Sequence, residues 1–179
     1  GYGWDLAGGI LNNGTLSLDH SSVTNNVADT GSYDSSLDYW KGGGGIYNGG
    51  GAVLNLTDST VSDNSTTLMD GGGIYGFPGS SANVANSTIS GNIAGNVGGG
   101  MRILGDASIV NSTISGNTAN AWYGGALFVT DGVVNVLNST IAGNVSPAWA
   151  PESIFVGTFG PADATLIMTN SIIANATGG

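Results

Sequence analysis

The chain contains no cysteine, so disulfides and thiolate metal sites are excluded from its chemistry. It is almost without cations. Lys41 and Arg102 are the only strong bases in 179 residues, and the net charge is −10. A nucleic acid must be met by several cations along its phosphate track, and an anionic membrane surface makes a similar demand. Both partners are excluded. No apolar stretch is long enough to span a bilayer, so membrane insertion is not expected. The one histidine, His20, has no Ser–Asp or metal constellation to join. Phosphate-binding patterns of the GxxxxGK[ST] or GxGxxG-before-helix type are missing too.

What the chain does have is glycine, 33 of them, with a hydrophobic fraction of 40% and only 8% charged residues. That balance is too apolar for disorder and lacks the G-X-Y period of collagen. Gly, Asn, Ser and Thr in such numbers suit many short strands joined by tight turns. The length fits a single domain over 1–179. Because residue 1 is glycine and no signal peptide follows, the expectation is a processed or excised piece of a larger secreted protein.

One phrase recurs. STISGN stands at Ser87–Asn92 and Ser112–Asn117, STVSDN at Ser59–Asn64, STIAGN at Ser139–Asn144 and SSVTNN at Ser21–Asn26. The apolar residue inside each copy, Val23, Val61, Ile89, Ile114, Ile141 and the degenerate Ile173, recurs at gaps of 38, 28, 25, 27 and 32 residues. A period in that range marks a solenoid.

Five residues before each marker the chain reads Leu18, Leu56, Val84, Ile109, Val136 and Met168. Seven before, it reads Leu16, Leu54, Ala82, Ala107, Val134 and Leu166, with mostly polar residues between. This alternation predicts a strand buried on one face. His20, Asp58, Asn86, Asn111, Asn138 and Asn170, each followed by serine, predict a turn, and Asn26, Asn64, Asn92, Asn117 and Asn144 predict a second corner. A further strand precedes these at GGIL (8–11), GGIY (44–47 and 72–75), GGMR (99–102), GGAL (124–127) and SIFV (153–156). The expected fold is therefore all-β: a single-stranded parallel β-helix of about six coils, three short strands per coil. At ~4.8 Å per coil the column stands roughly 25–30 Å tall. Equivalent residues lie above one another, aliphatic inside, and the five corner asparagines form a hydrogen-bonded ladder.

GGAL at Gly124–Leu127 and the GGI segments, each followed by an apolar-x-x-Asn unit such as Ile89–Asn92, resemble the paired GGA[ILV] and FxxN motifs of chlamydial polymorphic outer-membrane proteins. The chain is also similar to the wider class of pectate-lyase-like β-helix repeats of bacterial surface proteins. Val or Ile fills the Phe position in every copy. The resemblance covers about Gly8 to Ala176 and implies a right-handed helix and an extracellular or cell-surface setting, often adhesive. It carries no catalytic residue across.

Enzymatic candidates have a simpler reading. A lyase base would have to be Arg102 or Lys41, and Arg102 reads as a solubilising charge in an outward apolar stripe. Asp106 and Asp131 could approach the spacing of a hydrolytic pair, but both lie in turn-forming GD or DG dipeptides. Asp5, Asp29, Asp34, Asp38 and Asp70 read as solvated loop acids, with calcium as the alternative. The Asn-x-Ser/Thr sequons at Asn13, Asn55, Asn64, Asn86, Asn111, Asn138, Asn144 and Asn175 read as by-products of the repeat. No catalytic residue, metal or cofactor is expected, and the chain is read as a non-enzyme.

Two features point to contact. Leu11, Tyr47, Tyr75, Phe128 and Phe155 share one outward column, broken only by Arg102, while Trp4, Trp40, Trp122 and Trp149 precede first strands, with Tyr123 beside Trp122. The expected interaction surface comprises Trp4, Trp40, Tyr47, Tyr75, Trp122, Tyr123, Phe128, Trp149 and Phe155. The alternative is that the long loop 27–41 folds back and covers the stripe. The expected role is a structural or adhesive module whose partner is a copy of itself, in a fibre or surface assembly. Glycan binding and a degenerate polysaccharide lyase are the alternatives.

Overall fold

The computed structural model describes residues 7–29, 32–34, 39–158 and 163–178, and of 32–34, 39–41 and 178 the backbone alone. It is a parallel β-solenoid with no helix among these residues. Six successive coils each contribute one strand to each of four sheets. The first sheet begins with Ile10–Asn12 and ends with Ile154–Val156, and the second runs from Thr15–Asp19 to Ala164–Thr169. The third runs from Ser22–Thr24 to Ile172–Ala174, and the fourth from Val27–Ala28 to Thr177–Gly178. An antiparallel pair, Ser32–Asp34 with Tyr39–Lys41, stands apart.

The expectation of three strands per coil is corrected to four. Each fourth strand, such as Ser65–Thr66 or Ile93–Ala94, is only two residues long. Two residues cannot display an alternation, which is why the sequence pattern conceals it.

Registers are those the repeat demands. Val23, Val61, Ile89, Ile114, Ile141 and Ile173 form one file through the third sheet. Leu16, Leu54, Ala82, Ala107, Val134 and Leu166 form another in the second. These files meet in one continuous apolar core. The second-sheet strand of coil 2 alternates half-buried and buried along its first four residues, as a one-sided strand must.

The recurring phrase is explained residue by residue. His20, Asp58, Asn86, Asn111, Asn138 and Asn170 adopt the left-handed region, with φ between 46° and 50°. Apart from glycine, Asn and Asp tolerate that region best. The serine that follows forms a ladder: backbone N–H groups of Ser21, Ser59, Ser87, Ser112 and Ser139 donate to the serine Oγ one coil on at 3.0–3.1 Å. Thr and Ser of the third sheet point outward and Ile or Val inward. Asp63, Gly91, Gly116 and Gly143 then take a second left-handed turn, and asparagine closes the corner.

That corner is a filled hydrogen-bond chain. The Oδ1 atoms of Asn64, Asn92, Asn117 and Asn144 each accept the backbone N–H and the side-chain N–H of the asparagine one coil earlier, at 2.9–3.0 Å. Their second amide hydrogens go to the carbonyls of Val23, Val61, Ile89 and Ile114. In Asn64, Asn92 and Asn117 both amide hydrogens and both oxygen lone pairs are therefore used. The ladder stops at Asn144, because coil 6 has Ala176 in the slot.

Glycine pairs opposite this corner admit the ladder. A Cβ on Gly73 would stand 2.6 Å from the Gly100 oxygen and 3.0 Å from Asn92 Cγ. Register aligns Leu127 with Met101, so Gly125–Ala126, one residue later than GGAL implies, fills this slot in coil 5. In coil 6 the two residues before Ile154 are Glu152–Ser153, and the one-to-one bonding of the earlier coils is interrupted, with Ser153 O accepting both the Ala126 and Leu127 N–H.

Candidate functional site

The outward column of the first sheet is in register from end to end: Leu11, Tyr47, Tyr75, Arg102, Phe128, Phe155. Its exposure is not what the strand direction suggests. Tyr47, Tyr75, Arg102 and Phe128 are buried, so Tyr47, Tyr75 and Phe128 are withdrawn from the interaction surface. The Tyr47 and Tyr75 rings form a second core with Leu104, against which Ala7 and Phe77 pack. The connections between fourth and first strands double back over the column. A Cβ on Gly71 would lie 2.9 Å from Tyr75 Cβ, and one on Gly124 would lie 2.8 Å from Phe128 Cβ. Only a side-chain-free backbone can pass so close. Tyr47 and Tyr75 stack at 5.2 Å between centroids, and burial pushes the Tyr47 phenol up to about 12. The loop 27–41, expected as the alternative cover of the stripe, is described only in part: 30–31 and 35–38 lie outside the described residues.

Arg102 is corrected as well: it is no solubilising surface charge. Its Nε donates to Asp70 Oδ2 at 3.3 Å, one terminal nitrogen donates to Thr130 Oγ1 at 2.6 Å, and its Cζ lies 4.5 Å from the Phe128 centroid. Asp70, read from sequence as a solvated loop acid, is buried, and Asn96 Nδ2 donates to its other oxygen at 2.8 Å. Desolvation pushes the Asp70 carboxyl up to about 6, although Arg102, Asn96 and the Val97 N–H all pull it down. Sequence reasoning missed this cluster. The available signal was a lone cation between aromatics in a column, which a buried fold must pair with a carboxylate.

At the C-terminal end the aromatics emerge. Trp122 and Trp149 are 49% and 60% exposed and meet edge to face at 4.6 Å. Tyr123 stacks on Phe155 at 4.7 Å, and Phe155 stacks on Phe128 at 4.7 Å. Trp122, Tyr123, Trp149 and Phe155 are thus brought together. Trp4 and the Trp40 side chain lie outside the described residues.

The two ends of the solenoid form the other candidate surface. Ile173, in the inward file, is 52% exposed, whereas Ile141 directly beneath it is 0% exposed. Ile154, Leu166 and Met168 at this end, and Ile10, Leu16 and Leu18 at the other, are only half-buried. Coil 6 is apolar on its outer wall too, where Ile167 and Ile172 replace the Ser, Asn or Thr of earlier coils.

Other polar groups carry less. Asp19, His20 and Asp58 bring ligand atoms within 4.8 Å of one another, all exposed, with His20 Nδ1 2.9 Å from Asp19 Oδ1. His20 is the surface turn residue expected. A shallow groove on the second sheet is lined by Asn83, Asp106, Ser108 and Asn135, among others. Asp106 Oδ1 there accepts the Val133 N–H at 2.9 Å, a structural use of this carboxylate. Asn64 and Asn144, two of the sequons, are fully buried in the ladder.

These features define the class: a parallel β-solenoid with an asparagine ladder, a satellite aromatic core and end coils whose inward residues are partly exposed. No family model matches the chain, and no curated protein or solved structure matches it either.

Proposed function

We propose that this chain is a non-catalytic, structural or adhesive β-solenoid module of an extracellular or cell-surface assembly, and that it associates with copies of itself into a fibre or layer. The observation that carries the reading is the exposure of Ile173 and its neighbours at the end coil, beside strand edges that template further pairing. The non-catalytic reading is supported by Arg102, which is held by Asp70, Thr130 and Phe128 beneath the surface and cannot reach a substrate as a lyase base. Negative-stain microscopy and light scattering of the purified chain test the reading. Extended particles whose mass grows with concentration support it, and a strict monomer at high concentration removes it.

A second reading, glycan binding, is favoured by the exposed Trp122–Trp149 pair, since indole faces stack on sugar rings. A glycan-binding screen on wild type and Trp122→Ala tests it. Binding lost in the variant supports it, and no binding by the wild type removes it. Unsaturated-product assays on uronates test the degenerate-lyase alternative.

A further inference from the structure

We propose that the coil 6 face receives the coil 1 face of a second copy, head to tail and in register, and that Glu152 is the residue that restrains this junction. The inference rests on the reading of the chain as a self-associating module and gives that association one geometry.

The interface already exists inside the molecule, repeated between every pair of coils. In the third sheet, Thr60 N–H donates to Ser21 O and Thr88 N–H to Ser59 O. In the second and third sheets coil 6 continues the register of coil 5, and coil 1 that of coil 2. Parallel stacking therefore offers the coil 6 strands of these sheets the partners that the inner coils have. Ser171 N–H would meet Ser21 Oγ of the next copy, and Ala176 N–H would meet Asn26 Oδ1, continuing both ladders. Inward files also match, Ile173 under Val23 and Leu166 under Leu16. Turning one copy over would instead set the upper edge against itself, a pairing of which the solenoid holds no instance. A head-to-tail contact does not close, so it propagates as a filament of one polarity.

One corner resists. Coils 1 to 4 hold a glycine pair there, and at its first position, the one that matches Glu152, a Cβ would strike the next coil: 2.5 Å from Gly99 O at Gly72, and 2.5 Å from Gly125 O at Gly99. Coil 6 holds Glu152–Ser153 instead. A copy seated on coil 6 must stand off from this side chain and bury its charge. A charge placed on an open strand edge is a recognised brake on unwanted pairing.

The experiment uses the absence of cysteine. Thr24 and Ala174 occupy the same outward file in coils 1 and 6. Within one molecule they are five coil spacings apart, about 24 Å, so a disulfide between them joins copies. Across the proposed junction their Cα atoms lie ~4.8 Å apart, within disulfide reach. Thr24→Cys/Ala174→Cys is oxidised at several concentrations alongside Thr24→Cys/Ile172→Cys, whose pair is offset by two residues. The expected result is a ladder of oligomers on a non-reducing gel from the first variant only. Glu152→Gly should shift association to roughly tenfold lower concentration, and Ile173→Glu to roughly tenfold higher, with circular dichroism confirming that both variants fold. Concentration-dependent oligomers without the in-register crosslink, as from packing through Ile167 and Ile172, would overturn the head-to-tail junction and leave self-association standing. A monomer under every condition would overturn both.

Discussion

Asn117 holds Asn92 twice through a single atom: Asn117 Oδ1 accepts the Asn92 backbone N–H and its side-chain N–H, each at 2.9 Å. Truncating Asn117 strands those two buried donors and removes its own bond to the Ile89 carbonyl. Unsatisfied buried groups are expensive to leave, so Asn117→Ala should cost about 3 kcal/mol of unfolding free energy. Asn83, whose bond to Asn55 is exposed, should cost less than about 0.5 kcal/mol when changed to Ala. Urea midpoints of the two variants make the comparison, and equal losses would show that the buried ladder has no special role.

The glycines divide the same way. Gly73→Ala forces a methyl against Gly100 O and the ladder, and overpacking of this kind should cost about 2 kcal/mol. Gly14 has nothing within 4 Å of a built Cβ and no positive φ. Gly14→Ala should be neutral or stabilising by up to about 1 kcal/mol, through the unfolded chain. Thermal denaturation of both variants checks the contrast.

Among the aromatics, Tyr75→Ala should remove about 4 kcal/mol, as a fully buried ring does. Trp149→Ala should cost less than about 1 kcal/mol, because that ring is mostly in solvent. A reversal of this order would place the satellite core at the wrong end of the column.

Asp70 should leave a mark on the pH dependence of stability. Its carboxyl is raised to about 6 in the fold, while an unfolded aspartate titrates near ~3.9. A raised acid contributes stability that is fully present below the unfolded value and lost as pH rises through the folded one. The stability of wild type relative to Asp70→Asn should therefore fall between about pH 4 and pH 7. Urea titrations across that window measure it, and a relative stability that rises with pH would show that Arg102 outweighs burial.

Most of the fold was legible because stacking imposes sameness. A Val or Ile in the third-sheet file must sit on another, and an asparagine in the corner is useful only if its neighbour supplies the matching amide, so the sequence repeats visibly. The satellite core was hidden because strand alternation separates inside from outside of the coil and says nothing about connections that fold back over the outside. Tyr47, Tyr75 and Phe128 point outward and are nevertheless buried. Arg102 was misplaced for the same reason, since its partner Asp70 arrives on one of those connections, more than a coil earlier in sequence. The exposed end residues were legible as types, but only the completed stack shows that Ile173 lacks the coil above it that covers Ile141.

Self-association coil on coil is tested most directly by cryo-electron microscopy of concentrated protein. The expected image is a filament of one polarity in which the ~4.8 Å strand spacing runs unbroken across copies, with Val23 of one seated on Ile173 of the next. Particles that remain single six-coil columns at every concentration would contradict it.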